Sequence, residues 1–355
     1  MADPLQPEPA IGHLPELVSH LPQPGRDRFD RLFEVVVGDA RLVPPPDMEP
    51  WLARQFGSVE RVTTQRVVRV VNRWTWESAL FNPIRAERPL DQRQSDNLDQ
   101  QVAASIGDAF CSPATGTPAD VFGRIRGAAS VTAANVAKID VWHAVVIFDE
   151  HDPRRFTAAS VADAFATAMR WARRVHQEDA QARHFLLLWN CLWRAGASIV
   201  HGHAQAFAGR GSHYAGVERW RAAARRYGRS YFDDLYAAHA ALGLGFEWRG
   251  VKTLAHLTPM RAEETLLFSA HYDETLASAA YHVLTALQPI SFNLAVYHPP
   301  FGRPAWRNFP VIVRIVDRGD PANRTNDVGA MELFAGSVIS SDPFETARRL
   351  RPAFS

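Results

Sequence analysis

The stretch Gly196-Ala197-Ser198-Ile199-Val200-His201-Gly202-His203-Ala204-Gln205-Ala206-Phe207 carries most of what the sequence indicates about fold and chemistry. After the Gly-Ala-Ser turn, the run over 199–207 is typical of a strand. Alternate side chains of a strand share one face, so His201, His203 and Gln205 are expected on one side of the sheet. The opposite side would carry only small residues, which are Gly202, Ala204 and Ala206. We therefore expect one face packed against another layer and the other presenting two imidazoles and an amide to a pocket.

Two similar strand–helix–strand patterns surround this stretch. The first pattern predicts a strand, a helix and a strand at 143–148, 158–176 and 185–193. The second predicts the same elements at 265–268, 273–287 and 291–297, and a further helix is expected over 217–242 between the two patterns. The strand ends Phe148 and Phe268 lie 120 positions apart (268 − 148). This spacing favours an internal duplication, with coincidence in an α+β protein as the alternative.

Composition excludes several classes of protein. The 355 residues suit about two domains, with 46% hydrophobic and 22% charged side chains, as in a globular chain. A net charge of +1, from 39 basic and 38 acidic residues, gives no global attraction to nucleic acid or to a membrane. No apolar run approaches the ~20 residues of a membrane span. With only two cysteines and no signal-peptide pattern at the start, we expect a cytoplasmic protein that binds neither nucleic acid nor membrane.

The His-x-His pair permits three chemical interpretations. A neutral imidazole is a good nucleophile near pH 7 and can attack phosphorus. Two such rings can also bind one metal ion, or they can be structural residues, and the spacing alone weights these three equally. The adjacent Gly196-Ala197-Ser198 turn and Gln205 favour phosphoryl chemistry, because an amide can donate to a phosphoryl oxygen as charge develops. The sequence contains neither a P-loop nor a dinucleotide-binding glycine pattern.

The segment from Gly196 to Gln205 resembles the active-site signature of the galactose-1-phosphate uridylyltransferase branch of the histidine-triad superfamily, which includes nucleoside-diphosphate-sugar phosphorylases. Further matches lie elsewhere. The run 81–89 is similar to the family's Ser-Pro-x-Arg-Ala-x-Arg-Pro loop, and 108–111 falls where the family has Cys-x-x-Cys. Near the end of the chain, 329–333 matches a segment with a sugar-contacting glutamate. The resemblance extends from about residue 67 to 350.

This resemblance implies a fold. It implies an α+β protein of two tandem histidine-triad-like units, each a mostly antiparallel sheet with a packed helix. We expect an N-terminal extension over 1–60, a catalytic unit over 61–215 and a C-terminal unit over 216–355. Members of the branch often pair, so a homodimer is also expected.

The resemblance also implies residue roles. His203 would be the nucleophile that takes the nucleotidyl group, and Gln205 would assist it at the phosphoryl oxygens. The residues expected to bind substrate are Arg85 and Arg88 on the phosphates, Ser198 on phosphoryl oxygens, Asn135 and Asn190 on nucleotide or phosphate, and Glu332 on the sugar hydroxyls. Arginine suits the phosphate role because its planar guanidinium can donate two parallel hydrogen bonds.

A zinc site is the expected cofactor site. The family's ligands are Cys, Cys, His and His, and here they would be Asp108, Cys111, His151 and His201. The first cysteine is thus replaced by aspartate, which is a competent zinc ligand, so Zn²⁺ binding with lower affinity is expected. The alternative is a metal-free cluster held together by hydrogen bonds.

The implied function is transfer of a nucleoside monophosphate between a nucleoside-diphosphate sugar and a sugar-1-phosphate, through a covalent nucleotidyl-His203 intermediate. Two alternatives stay open. One is a phosphorylase that splits the nucleotide sugar with inorganic phosphate, and the other is a non-catalytic nucleotide-sugar sensor. The partners would be a nucleotide sugar together with a sugar phosphate or inorganic phosphate.

Overall fold

The computed structural model describes residues 8–88, 98–323 and 325–354. In these residues the strands are β1 Phe33–Arg41, β2 Thr64–Asn72, β3 Ser78–Phe81, β4 Ser130–Ala134, β5 Trp142–Phe148, β6 His184–Asn190, β7 His203–Gly209, β8 Gly245–Trp248, β9 Val251–Ala255, β10 Thr265–Ser269, β11 Phe292–Tyr297, β12 Val311–Asp317 and β13 Ser337–Ile339. The strands lie in two sheets, of nine and four strands.

The helices lie between groups of these strands. They are α1 Leu14–Ser19, α2 Gln23–Leu32, α3 Glu49–Phe56, α4 Glu60–Thr63, α5 Leu98–Ala104, α6 Pro113–Gly116, α7 Ala158–Glu178, α8 Ala215–Tyr227, α9 Tyr231–Ala241, α10 Glu274–Leu287, α11 Ala330–Phe334 and α12 Pro343–Leu350. Among the described residues, no helix combines the length and the apolar character that a membrane crossing requires.

The nine-stranded sheet shows the expected duplication. Its order is β4-β5-β7-β6-β11-β12-β10-β9-β8, and all its neighbours pair antiparallel. The series β4-β5-β7-β6 has the same topology as β9-β10-β12-β11, and the two series meet where β6 pairs with β11. In each series one long helix, α7 or α10, follows the second strand. The α+β architecture of two tandem units is therefore confirmed, whereas the boundaries at residues 60 and 215 stay predictions.

Helices α7 and α10 cover one face of this sheet and contact each other. Helix α7 begins with a capping box at Thr157 and Ser160 and buries an apolar face that includes Val161, Phe165 and Trp171. The small side chains of β7 make room for it, because Ala204, Ala206 and Ala208 are buried in the same core cluster. The packed face expected from the Gly-x-Ala-x-Ala alternation is thus present.

The segment expected to be an extension contributes a strand of its own. Strand β1 pairs antiparallel with β2 along its full length, from Phe33 opposite Asn72 to Arg41 opposite Thr64. Strand β3 continues this sheet, and β13 closes it by parallel pairing with β3. The sheet therefore joins the start of the chain to its end. The alternation in Phe33-Glu34-Val35-Val36-Val37 is weak, which explains why the strand was not expected.

Three element boundaries differ from the expectations. The helix expected over 217–242 is divided into α8 and α9, because Gly228 adopts a φ of 120° that a helix cannot continue. The strand expected over 185–193 ends at Asn190. The strand expected over 199–207 begins only at His203, so His201 lies in the loop before it.

A buried ion cluster connects the two sheets. Glu77, in the turn between β2 and β3, accepts a hydrogen bond from Arg314 Nη1 of β12 at 2.7 Å. Arg314 Nε donates to Glu264 Oε1 at 2.6 Å, and the Trp220 indole of α8 donates to Glu77 Oε1 at 3.1 Å. The side chains of the three charged residues are at most 5% exposed. Burial alone would raise the pKa of Glu77, but the Arg314 guanidinium outweighs it and lowers that pKa to about 2.

Candidate active site

The open face of β7 carries the two polar residues expected there. His203 pairs with Ile147 of β5, and Gln205 pairs with Val145 of β5 and Leu188 of β6. Val145 and Ile147 belong to a small apolar cluster with Phe110, separate from the core beneath α7. His203 and Gln205 therefore project from the face of the sheet that the long helices do not cover.

One backbone contact orients the His203 ring. Its Nδ1 lies 2.8 Å from the carbonyl oxygen of His201, and because a carbonyl only accepts, Nδ1 carries the hydrogen. The remaining nitrogen, Nε2, then has its lone pair free and bonds to no described residue. The ring is 6% exposed, and Nε2 is not among the fully buried atoms that lack a partner. Burial lowers the pKa of His203, partly offset by the carbonyl contact, so the ring is neutral at pH 7.

Gly202 allows the chain to bring His201 and His203 to different sites. A Cβ at position 202 would lie 2.9 Å from the ring of Phe148 and 3.1 Å from the carbonyl oxygen of Glu150. The backbone of Gly202 also bonds to Phe148 N–H and to the carbonyl of His151. His201, just outside the strand, donates from Nε2 to the Phe148 carbonyl at 2.8 Å, so its Nδ1 faces away from β5.

Four potential metal ligands converge at that Nδ1. One donor atom from each of Asp108, Cys111, His151 and His201 lies within 4.8 Å of the other three. Cys111 Sγ lies 3.3 Å from His151 Nδ1 and 3.5 Å from His201 Nδ1, and the two Nδ1 atoms are 3.1 Å apart. Asp108 Oδ1 lies 3.6 Å from His201 Nδ1. The structure thus brings together all four residues that the sequence assigned to zinc.

The chemistry of this cluster fits a zinc ion. Tetrahedral Zn²⁺ with Zn–N of about 2.0–2.1 Å and Zn–S of about 2.3 Å places two nitrogens about 3.3 Å apart and a sulfur about 3.6 Å from a nitrogen. His151 Nε2 lies 2.9 Å from the Ser105 hydroxyl and 3.2 Å from the Val102 carbonyl oxygen. Because a carbonyl only accepts, Nε2 carries the hydrogen and Nδ1 has a lone pair. Two nitrogen lone pairs 3.1 Å apart repel each other unless a metal ion or a proton lies between them. Asp108 Oδ2 is also buried without a partner.

Gln205 contacts a residue that the sequence did not single out. Its Oε1 lies 3.0 Å from Nε2 of His143, which is fully buried at the start of β5. The Asn135 amide nitrogen lies 3.2 Å from the same Nε2. The structure therefore places Asn135 and Gln205 side by side on one imidazole. The alternation of side chains along β5 could have predicted this contact, because His143 lies on the same face of the strand as Val145 and Ile147.

Arg85, Arg88 and Glu332 line a different feature, a cavity of about 540 Å³. Strand β13, the Arg194 side chain and the segment 317–319 form other parts of its wall. His203, Gln205 and Ser198 are not among its lining residues. Arg85 and Arg88 are exposed and form no ion pair with a described residue, whereas Glu332 accepts from the Gly329 N–H at 2.8 Å. An anionic ligand in this cavity would therefore meet two guanidinium groups that pair with none of the described residues.

Asn190 lies at the end of β6 and is connected to that cavity through Asn293 of β11. Asn293 Nδ2 donates to Asn190 Oδ1 at 2.7 Å and to the Ala195 carbonyl at 2.8 Å. Asn293 Oδ1 accepts from Arg318 Nη1 at 2.6 Å, and Arg318, which lines the cavity, also pairs with Asp327. Ser198 is exposed in the loop between Asn190 and His203. Sequence reasoning missed Asn293 and Arg318, because their importance depends on the β6–β11 pairing.

Comparison with known proteins identifies the fold. No protein-family model and no curated protein matches the sequence. The crystal structure of an ADP-glucose phosphorylase from Arabidopsis thaliana with bound ADP-glucose matches 77% of this chain and 95% of that chain, with a TM-score of 0.58 and 16% identity. The structure of a uridylyltransferase matches 81% of this chain and 98% of its own, with a TM-score of 0.55 and 16% identity. A galt-like protein from Arabidopsis thaliana matches 69% of this chain and 92% of its own, with a TM-score of 0.53 and 16% identity. The chain therefore shares the fold of these three proteins.

Proposed function

We propose that this protein transfers a nucleoside monophosphate between a nucleoside-diphosphate sugar and a sugar-1-phosphate, through a covalent adduct on His203. The observation that carries the proposal is the state of the His203 ring. Its Nδ1–H is bonded to the His201 carbonyl, and its Nε2 lone pair is free on the open face of the sheet. A neutral, oriented imidazole with one free nitrogen is what an attack on phosphorus requires.

In the first displacement the Nε2 lone pair forms a bond to the α-phosphorus of the nucleotide sugar. The bond from that phosphorus to the bridging oxygen breaks, and the sugar-1-phosphate leaves with the electron pair. The imidazole then carries positive charge, which the His201 carbonyl stabilises through the Nδ1–H it already accepts. In the second displacement an acceptor phosphate oxygen attacks the same phosphorus, and the Nε2–P bond breaks. No group is oxidised, and His203 regains its starting state.

The other residues are assigned by the charges that they would meet. Gln205 would donate its amide hydrogens to a phosphoryl oxygen, where negative charge grows in the transition state. Arg85 and Arg88 would bind the phosphates, and Glu332 would accept hydrogen bonds from sugar hydroxyls. The cavity that these three residues line would accept a phosphorylated ligand, because Arg85 and Arg88 pair with no other described residue, although His203, Gln205 and Ser198 do not line it. Asn135, Asn190 and Ser198 complete the proposed contacts.

Zinc would have a structural role here. Bound by Asp108, Cys111, His151 and His201, the ion would supply charge that neutralises the cluster and would tie together three separate loops. One of these ligands, His201, also provides the carbonyl that orients His203. The metal site would therefore contribute to the placement of the nucleophile without taking part in either displacement.

A phosphorylase with inorganic phosphate as acceptor is the second candidate. It is supported by the shared fold of the ADP-glucose phosphorylase, whose structure holds ADP-glucose. The two reactions share the first displacement and differ only in which phosphate enters the second. Glu332 would meet the sugar hydroxyls of the donor in both reactions and those of the acceptor only in the transferase, which slightly favours a sugar phosphate.

Exchange of label distinguishes these reactions. The protein is incubated with UDP-glucose, ADP-glucose or a GDP-sugar, and with either labelled sugar-1-phosphate or labelled inorganic phosphate. Label that enters the nucleotide sugar from the donor's own sugar-1-phosphate reports the shared first displacement. Conversion of a second, different sugar-1-phosphate into its nucleotide sugar, with no nucleoside diphosphate formed from labelled phosphate, supports the transferase. Nucleoside diphosphate formed from labelled phosphate supports the phosphorylase. Nucleotide-sugar binding without any exchange would instead identify a non-catalytic sensor and would contradict the proposal.

A further inference from the structure

The His143 imidazole makes two hydrogen bonds, whose donor and acceptor roles can be determined, and one ring stack. Its Nδ1 lies 3.2 Å from the backbone N–H of Ile139, and its Nε2 lies 3.0 Å from Gln205 Oε1. The ring stacks on Phe207 with a centroid distance of 4.1 Å and is 0% exposed. Phe207 follows Gln205 on the same face of β7, so the stack holds the ring beside the amide.

The backbone contact determines the tautomer. Burial lowers the pKa of His143, so the ring is neutral at pH 7 and carries one hydrogen. The Ile139 N–H can only donate, which makes Nδ1 the acceptor and places the hydrogen on Nε2. Gln205 must then present its oxygen to His143, because an NH₂ group in that position would face another donor.

The amide nitrogen of Gln205 is therefore directed away from His143. No described residue accepts a hydrogen bond from this nitrogen, and it is not among the fully buried atoms without a partner. Asn135 is oriented differently, because its Oδ1 accepts from the Ala137 N–H at 3.0 Å. Its nitrogen lies 3.2 Å from the same Nε2, where a protonated Nε2 and the NH₂ group are both donors and form no hydrogen bond. Gln205 thus supplies the acceptor for Nε2–H, and its own NH₂ group is left to donate to a ligand.

We infer that His143 is a positioning residue, which fixes the Gln205 amide so that its NH₂ group is presented to a phosphoryl oxygen of the substrate. This inference rests on the proposed function. Without the Nε2–H of His143 the amide could rotate by 180°, and half of its orientations would then place an oxygen where the transition state develops negative charge.

The test combines two variants and a spectroscopic measurement. His143→Phe keeps the stack on Phe207 and removes the donor, whereas His143→Gln keeps a nitrogen donor at the Nε2 position. We expect His143→Phe to lower kcat about 10- to 100-fold with little change in KM, a smaller loss than the about 10²–10³ for deleting an oxyanion donor. His143→Gln should recover most of this loss. In a Gln205→Ala background, His143→Phe should have no further effect on kcat.

The spectroscopic measurement does not depend on activity or on a variant that folds. Long-range ¹H–¹⁵N correlation spectra of the wild-type protein, with His143 assigned, should show a neutral ring with its hydrogen on Nε2. A hydrogen on Nδ1, or equal kcat values in His143→Phe and the wild type, would overturn the inference while leaving the nucleotidyl transfer itself intact. Wild-type protein that forms no nucleotidyl adduct would instead contradict the proposed function, and the tautomer would still report the geometry.

Discussion

The Nδ1 atom of His203 lies 2.8 Å from the carbonyl oxygen of His201, so one residue serves two sites through two different groups. The His201 backbone fixes which nitrogen of His203 is free, while the His201 side chain turns its own Nδ1 toward Asp108, Cys111 and His151. The proposed nucleophile and the four candidate metal ligands are therefore connected through His201. A change at the cluster is expected to affect both stability and catalysis.

Replacing the proposed nucleophile should separate activity from folding. We expect His203→Asn to lower nucleotidyl transfer by roughly four orders of magnitude or more, because an amide cannot attack phosphorus. Its thermal midpoint should stay close to that of the wild type, since the side chain makes a single backbone contact. The exposed His271 provides a control, and His271→Asn should leave the rate unchanged. A His203→Asn protein with normal turnover would exclude this residue as the nucleophile.

The metal cluster should contribute to stability. If the four ligands hold zinc, a strong chelator should lower the thermal midpoint by about 5 °C or more, because a ligand that binds only the folded state stabilises it. Elemental analysis should give one zinc per chain. His201→Ala should lower the midpoint by itself and remove the effect of the chelator. Equal melting curves with and without chelator would show that no bound metal stabilises the protein.

The aspartate in this cluster should weaken zinc binding. Thiolate is a softer and stronger zinc ligand than carboxylate, so Asp108→Cys should tighten zinc binding roughly tenfold or more. Competition with a chromophoric chelator measures this change directly. The neighbouring exposed Ser112→Cys is a control for an added thiol that lies outside the four ligands. Unchanged affinity in Asp108→Cys would indicate that position 108 does not bind the ion.

The ion cluster between the two sheets should make stability depend on acid pH. Glu77 has a pKa of about 2 in the folded protein and an ordinary value of 4.5, so its contribution is complete above pH 4.5 and is lost as the pH falls toward 2. Glu77→Gln leaves Arg314 with one carboxylate, Glu264, and should lower the free energy of unfolding by about 3–5 kcal/mol at pH 7. Urea unfolding of both proteins at several pH values should show this difference shrinking below pH 4.5.

An exposed ion pair provides the matched control for that experiment. Arg126 Nη2 lies 2.6 Å from Asp149 Oδ2, and both side chains are about half exposed. Asp149→Asn should therefore change the free energy of unfolding by only about 0–1 kcal/mol. Suppose that Glu77→Gln lowers the free energy of unfolding by as little as Asp149→Asn does, or by an amount that does not depend on pH. Either result would argue against Glu77 as the connection between the sheets.

Loss of a cavity arginine should affect binding more than folding. Arg85 is exposed and unpaired with any described residue, so Arg85→Ala should leave the thermal midpoint unchanged. It should lower kcat/KM for the nucleotide sugar about 10- to 100-fold, the effect of one charged hydrogen bond. Arg155, whose side chain is 77% exposed and pairs with Asp152 alone among the described residues, is a suitable control. Identical kinetics in Arg85→Ala and the wild type would remove this cavity from the proposed reaction.

The sequence predicted those features that depend on local pattern. The alternation of side chains along β7 predicted that His203 and Gln205 share one face. The motif resemblance predicted that Asp108, Cys111, His151 and His201 form one cluster, as they do in the structure. The sequence did not predict contacts that depend on the pairing of distant strands. The contact of Asn293 with Asn190 depends on the register of β6 and β11, and that of His143 with Gln205 on the register of β5 and β7. The division of the helix over 217–242 required the φ of Gly228.

The duplication also shows why only one unit carries the proposed chemistry. Strand β12 occupies the place of β7 in the second series, and its open-face residues are Ile312, Arg314 and Val316 rather than histidine and glutamine. Ile312 and Arg314 are buried, and Arg314 is committed to Glu77 and Glu264. The second unit therefore supplies Asn293, Arg318 and part of the cavity wall, but it offers no nucleophile on that strand.

The central claim is a covalent bond from His203 Nε2 to phosphorus, and intact-protein mass spectrometry tests it most directly. The protein is exposed without an acceptor to UDP-glucose, ADP-glucose and GDP-sugars, and is then digested to locate any adduct. We predict the added mass of one nucleoside monophosphate, on the peptide that contains His203, labile to acid and absent in His203→Asn. An unmodified protein with every donor, or an adduct that persists in His203→Asn, would contradict the account.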